Sequence, residues 1–159
     1  MESESEIHVL QMKAEEKEFI KTWPKYPKEF SELDYALRDG GWIDSKEDAD
    51  LLSVYLEKML IGFTGLFGIN NKHYEILIAI NADYLGKGYG TTAMKLALKH
   101  YFMKYNMDKI TLCVRKSNKI AKHVYEKIGF SDDGESKKVI QGTEIDFWDM
   151  YINRDTISF

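Results

Sequence analysis

An α/β (α+β) domain, a central mixed, mostly antiparallel sheet with flanking helices, is what this sequence predicts, in the order β-α-α-β-β-β-α-β-α-β-β. Three observations carry the prediction. Residues 50–81 hold three apolar, β-branched and aromatic runs broken only by short polar stretches, the pattern of hairpin-linked strands. The third run leads through a cluster of glycines into a helix-period pattern and then a further strand, which makes a βαβ crossover. The chain closes on SKKVIQG and TEIDFWDMYIN, two strand-like runs that form a final hairpin around Gly142-Thr143.

The elements follow in order. IHVLQM (7–12) reads as a strand. KAEEKEFIKTW (13–23) reads as a helix that stops before Pro24, because proline disfavours helix at the residue before it. EFSELDYAL (29–37) reads as a second short helix, and Gly40-Gly41 as a breaker. DLLSVYLE (50–57) and MLIGFTGLFGI (59–69), separated by Lys58, read as a tight hairpin. YEILIAIN (74–81) is nearly all apolar, as expected of a strand buried on both faces, and Glu75 is its one charge. In the next helix Met94, Ala97, Leu98, Tyr101, Phe102 and Tyr105 recur at helical spacing. KITLCVR (109–115) is a strand. Ser117 is placed to cap the helix that follows. That helix shows Ile120, Ala121, Val124, Tyr125 and Ile128 on its apolar face, with Gly129 as its stop.

A length of 159 residues fits a single domain over 1–159. The net charge of −4 argues against a nucleic-acid binder, which would show a basic patch. The N-terminus MESESEIHVL has neither the basic region nor the apolar run of a signal peptide. No window approaches the ~20 apolar residues of a membrane helix. The single cysteine, Cys113, excludes an intrachain disulfide and suits a reducing compartment. The expectation is a cytoplasmic protein with no nucleic-acid and no membrane partner. Its four histidines show no metal-ligand spacing, so no metal is expected.

The glycines lie in LGKGYG (85–90), directly after a strand and before a helix. The first amides of a helix have no partners within it and point out of its end. Glycine lets a ligand approach that backbone without an intervening Cβ, and the helix dipole favours negative charge there. Together these suit a phosphate or pyrophosphate. The Walker A pattern is absent, and the third glycine of a dinucleotide fingerprint would fall on Thr91. On these residues alone, a flexible turn without a ligand is an equal reading.

Downstream, SNKIAKHVYEKIGF (117–130) places Asn118, Ala121, Tyr125-Glu126 and Gly129-Phe130 in the spacing N-x-x-A-x-x-x-Y-E-x-x-G-F. With this motif the chain resembles the GNAT superfamily of acetyl-CoA-dependent N-acetyltransferases, in the branch that contains ribosomal-protein and polyamine acetyltransferases. The glycine turn is similar to that superfamily's R/Q-x-x-G-x-G/A, with Leu85 where Arg or Gln is usual. The resemblance implies the GNAT fold, acetyl-CoA as acetyl-donor co-substrate, and direct attack by a primary amine on the thioester. It places the pyrophosphate on backbone amides from Gly86, Lys87, Gly88, Tyr89, Gly90 and Thr91. It places the acetyl carbonyl and the pantetheine arm on main-chain groups of Ile78, Ala79 and Ile80, with Asn118 beside the arm. Tyr125 is implied as the acid that protonates the departing thiolate; its position on the apolar stripe, taken alone, reads as a core aromatic. Glu75 is the candidate base, against the reading of a strand-end carboxylate facing solvent. One N-terminal acetyltransferase subgroup carries its base five residues before the motif Asn, and here that position is Cys113, read as a small core residue.

Substrate-binding parts of GNAT folds come from the early helices and the last hairpin. There the sequence offers Tyr26, Glu32, Asp34, Trp42, Asp146 and Trp148, with Trp23, Tyr35, Asp39, Asp44 and Asp149 nearby. Carboxylates with aromatics suit a cationic amine, such as a polyamine, amino sugar or aminoglycoside. Taken singly, each reads first as part of a solvated acidic face over an ordinary core. A protein N-terminus as acceptor is the alternative within the enzyme class, and a non-catalytic acyl-CoA sensor is the alternative outside it. A small-molecule amine is thus the expected partner, and a homodimer is admitted.

Overall fold

The structure, a computed structural model, describes residues 6–45 and 48–157, without the side chains of residues 29, 30, 32 and 33. The strands are β1 (Ile7–Gln11), β2 (Ala49–Leu56), β3 (Met59–Phe67), β4 (Glu75–Ile80), β5 (Lys109–Arg115), β6 (Ser131–Ile140) and β7 (Thr143–Asn153). They form one seven-stranded sheet in the order β1-β2-β3-β4-β5-β7-β6. Every neighbouring pair is antiparallel except β4 and β5. The helices are α1 (Ala14–Ile20), α2 (Tyr89–Lys104) and α3 (Lys119–Ile128). The α/β class and the crossover through α2 are as the sequence predicts.

The central strand is apolar because it has helices on both sides. On one face Ile76, Leu112 and Met150 pack under Met94, Leu98, Tyr101 and Phe102 of α2. On the other, Ala79, Phe63 and Leu51 pack against Ile20, Trp23, Leu37 and Ile43. Among the described residues that second cover packs on β2 to β4 and on no residue of β5, β6 or β7, and this asymmetry opens room for a site.

Four local readings are corrected. Residues Lys28–Leu37 form a 3-10 helix. Pro24 and Pro27 supply no amide hydrogens to a nucleating turn, and ten residues cannot offset the cost of α-helix nucleation. The last turn is at Gln141-Gly142, both at positive φ (51° and 83°), the mirror-image turn that suits a two-residue hairpin. In α3 it is Asn118, not Ser117, that caps: its Oδ1 accepts from the Ala121 amide at 3.1 Å. Ile120, expected on the apolar face, is 73% exposed.

Asp50 ties β2 to both β1 and α2. Its carboxylate accepts from Gln11 Nε2 at 2.9 Å, Lys104 Nζ at 2.7 Å and Tyr105 Oη at 2.6 Å. The hydroxyl of Tyr101, fully buried, donates to the Asp50 carbonyl at 2.7 Å. Burial alone would raise this carboxyl; the donors from Lys104, Tyr105 and Gln11 outweigh it and hold it below the ordinary carboxylate range. Asp50→Asn is therefore expected to cost about 2 kcal/mol of stability in urea unfolding at pH 7. The folded value lies below the unfolded one, so the unfolded chain binds more protons in acid. The contribution is present above ~pH 4 and is lost as pH falls below it, so the gap between wild type and variant closes there.

Candidate active site

The site begins where the sheet comes apart. β4 and β5 share one register pair, Glu75 with Thr111, where Thr111 donates from both its amide and its hydroxyl to the Tyr74 carbonyl, at 2.9 and 3.0 Å. Beyond this rung the strands diverge. A cavity of about 270 Å³ fills the gap, lined by both strands, by Asn118, Ala121 and Tyr125 of the α3 segment, and by Tyr26 and Trp42 from the opposite cover.

Strand alternation decides which main-chain groups face this gap. The Asn81 amide donates to the Ile61 carbonyl at 2.7 Å, so the Gly62–Ile80 pair is a non-hydrogen-bonded one. Ala79 then exchanges its bonds with Phe63 of β3, while Ile78 and Ile80 turn their amides and carbonyls toward the gap. The Ile80 carbonyl accepts from Tyr26 Oη at 2.5 Å. Of the three residues the sequence assigned to an extended ligand, two offer an edge for it and Ala79 does not.

At the far end of the gap stands the N-terminus of α2. Gly88 occupies the N-cap position at φ 82°, and Gly86 has φ 76°. A Cβ built on either would meet nothing within 4 Å, and the first helical turn holds no acidic residue. Open space therefore lies over the glycine backbone at the helix N-terminus, where the sequence expected an anion. Gly90 differs: its φ is not left-handed, and a Cβ there would lie 3.7 Å from the Ile80 side chain, an ordinary contact. Lys87 is exposed, Tyr89 packs against Tyr84, and Thr91 is half-buried in the first turn. The edge of β4 and the open backbone at the start of α2 fit the two ends of one elongated ligand, an extended arm and a pyrophosphate. The residues present thus fit acetyl-CoA.

Tyr125 stands on the α3 wall. Its ring packs edge-on against Phe130 at 5.8 Å. Gly129, at φ 129°, ends the helix so that the Phe130 amide can return to the Tyr125 carbonyl at 3.0 Å. A Cβ on Gly129 would come within 2.8 Å of Thr156. Burial pushes the Tyr125 phenol up to about 12. Among the described residues its hydroxyl has no hydrogen-bond partner, and it borders the cavity.

Glu75 stands at the closed end, the only carboxylate among the described residues that line this cavity. Its Oε2 lies 3.8 Å from Lys138 Nζ. Lys138 also donates to Cys113 Sγ at 3.2 Å, and the thiol donates to Asp149 Oδ1 at 3.3 Å, which accepts from Ser136 Oγ at 2.8 Å as well. Burial, helped by Glu75, pushes the Cys113 thiol up to about 12, so it is no nucleophile at neutral pH.

The acceptor residues read from the sequence divide. Tyr26 and Trp42 line the cavity, with Tyr35 beside them. Asp34 does not: Arg38 holds it in a bidentate pair at 2.7 and 2.8 Å, which keeps its carboxyl below the usual range. Asp39 and Asp44 both pair with Lys21, at 2.9 and 2.8 Å. The side chain of Glu32 lies outside the described residues. Asp146 pairs with Lys137 at 3.0 Å, and Trp148 lies under the ammonium groups of Lys116 and Lys122, 4.5 and 5.2 Å from its ring centre. Side chains alternate along a strand: Phe147, between these two, is the residue of β7 that lines the cavity. Phe147, Arg115 and Lys138 were not anticipated. The strand register would have found them, since a turn at Gln141-Gly142 sets Phe147 opposite Ser136 and Lys138 opposite Ile145.

Known proteins with these features can now be compared. Spermidine N(1)-acetyltransferase of Escherichia coli K12 is 43% identical over 76 residues, which is 46% of this chain and 41% of that protein. The Vibrio cholerae enzyme of the same name is 37% identical over 100 residues, 60% of this chain and 58% of that protein. The chain thus spans about half the length of these curated relatives. Among solved structures, a chimera of spermidine N-acetyltransferase SpeG from Vibrio cholerae and hSSAT superposes with a TM-score of 0.75 at 28% identity, covering 96% of this chain and 98% of that one. The Vibrio cholerae enzyme in complex with CoA and spermine superposes with a TM-score of 0.72 at 25% identity, with the same coverages. A family model matches residues 12–130, from the end of the first strand to the phenylalanine behind Tyr125, and the chain therefore belongs to the acetyltransferase (GNAT) family.

Proposed function

We propose that this protein transfers the acetyl group of acetyl-CoA to a primary amine of a polyamine. One observation carries the reading: the unpaired edge of β4, the Tyr125 hydroxyl and the Glu75 carboxylate border a single cavity. Acetyl-CoA supplies the activated acetyl thioester. The amides of Ile78 and Ile80 hold the extended arm as a further strand would, and the open backbone from Gly86 to Gly88 receives the pyrophosphate. Amides fixed in the sheet before reaction need no reorganisation to stabilise a developing oxyanion. Glu75 takes a proton from the incoming ammonium, directly or through one water. Tyr125 gives a proton to the departing sulfur.

The polyamine class is supported by the relatives' own substrate and by the cavity walls. Tyr26, Trp42 and Phe147 line the same cavity as the Glu75 carboxylate, and aromatic faces with a carboxylate suit alkylammonium groups. Calorimetric titration with acetyl-CoA, followed by thiol release with spermidine, aminoglycosides, amino sugars and N-terminal peptides, tests the proposal. Binding with release on spermidine is the expected result. Release only with peptides would move the acceptor to protein N-termini. Binding without release on any amine would overturn the enzymatic reading in favour of an acyl-CoA sensor.

A further inference from the structure

The cavity proposed to receive a cation already contains one. Lys138 projects from β6 across the uncovered face of the sheet. Its Nζ lies 3.8 Å from Glu75, 3.2 Å from Cys113 and 5.2 Å from the centre of the Phe147 ring. A carboxylate on one side and an aromatic face on the other make the surroundings that an alkylammonium ligand needs. Glu75 is the cavity's only carboxylate among the described residues, whereas Lys138 and Arg115 both line it. Lys138 thus stands, beside that carboxylate, where the ammonium of an acceptor would bind.

The position is not closed. The Lys138 side chain keeps 37% of its surface and Glu75 24%. A second cavity of about 410 Å³ adjoins the first, and Glu75, Leu112, Cys113 and Lys138 form the wall they share. Asp149 borders that second cavity, within the same hydrogen-bonded chain. A lysine between two carboxylates can leave one without losing its counter-charge.

We propose that Lys138 is a specificity-determining residue, an internal ammonium that holds the place at Glu75 until the ammonium of a cationic acceptor displaces it toward Asp149. Lys138 thereby sets the affinity threshold for polyamines. It also couples acceptor arrival to the release of Glu75, which then has the acceptor's proton within reach. The inference rests on the polyamine reading above.

Spermidine binding to the full-length protein tests it by calorimetry, without need of turnover. Lys138→Met is expected to tighten spermidine binding about tenfold, ~1.4 kcal/mol, because the acceptor no longer competes with an internal cation. Acetyl-CoA affinity stays unchanged. Lys138→Arg keeps the charge and restores the wild-type value. In steady state the same change appears in KM, with kcat within about twofold. Equal or weaker spermidine binding by Lys138→Met overturns the inference, as does tightening that Lys138→Arg shares. Wild-type protein that binds spermidine without releasing thiol would sink the enzymatic reading alone, since the comparison of affinities still stands. No spermidine binding by either protein overturns the inference.

Discussion

Replacing Tyr125 with phenylalanine is expected to lower kcat about a hundredfold while acetyl-CoA affinity stays within about twofold, the scale on which positioned acids act. The ring remains, so the edge-on packing against Phe130 and the return of the chain through Gly129 are kept. Only the hydroxyl is lost, and among the described residues it bonds to nothing. The phenol, pushed up to about 12 by burial, stays protonated throughout the neutral range and can donate to a thiolate whose conjugate acid has a reference value of ~8.5. A loss of activity that follows deprotonation of Tyr125 is therefore expected only near pH 12, so an alkaline limb at lower pH belongs to another group. Thiol-release kinetics across pH, with calorimetry of acetyl-CoA, separate the two quantities. Unchanged kcat would remove Tyr125 as the acid and leave it a core aromatic.

Gly88→Val is expected to weaken acetyl-CoA binding tenfold or more, ~1.4 kcal/mol at the least. Two physical effects add. The residue sits at φ 82°, where a β-branched side chain is strained by about 1–3 kcal/mol. The space its side chain would enter is open and lies before the helix, where the proposal puts the pyrophosphate. Gly90→Ala is the matched control: it stands on the same helix end, without left-handed backbone and with only an ordinary 3.7 Å contact to accept. Calorimetry on both variants, with circular dichroism to confirm folding, gives the answer. Undiminished binding by folded Gly88→Val would refute an anion site there.

The sequence was legible where one residue type has one physical use. A nearly unbroken apolar run marked β4, and helical spacing marked the buried stripe of α2. Glycines marked the open backbone before α2, and the tyrosine motif marked a wall of the cavity. It was less legible where a side chain's role depends on a partner. Asp34 looked available until Arg38, four residues on, was seen to claim it, a pairing that helical spacing could have suggested. Asp39 and Asp44 are claimed by Lys21, from another element, which no local pattern reveals. In β7 the difficulty was parity: Asp146, Phe147 and Trp148 are consecutive, and a hairpin turn placed one residue along reverses which of them faces inward. Lys138 stayed invisible for the same reason.

The single rung between Glu75 and Thr111 bears on more than the shape of a pocket. It divides the backbone hydrogen bonding of the molecule into two leaves, β1 to β4 and β5, β7, β6, that share a side-chain core on one face but almost no ladder. Such a seam is where a protein opens locally before it unfolds globally. A ligand laid along the Ile78–Ile80 edge acts as mortar there, and its binding free energy adds to cohesion by mass action. Under the proposed function, the donor's concentration then governs the persistence of the folded chain as well as its rate of work.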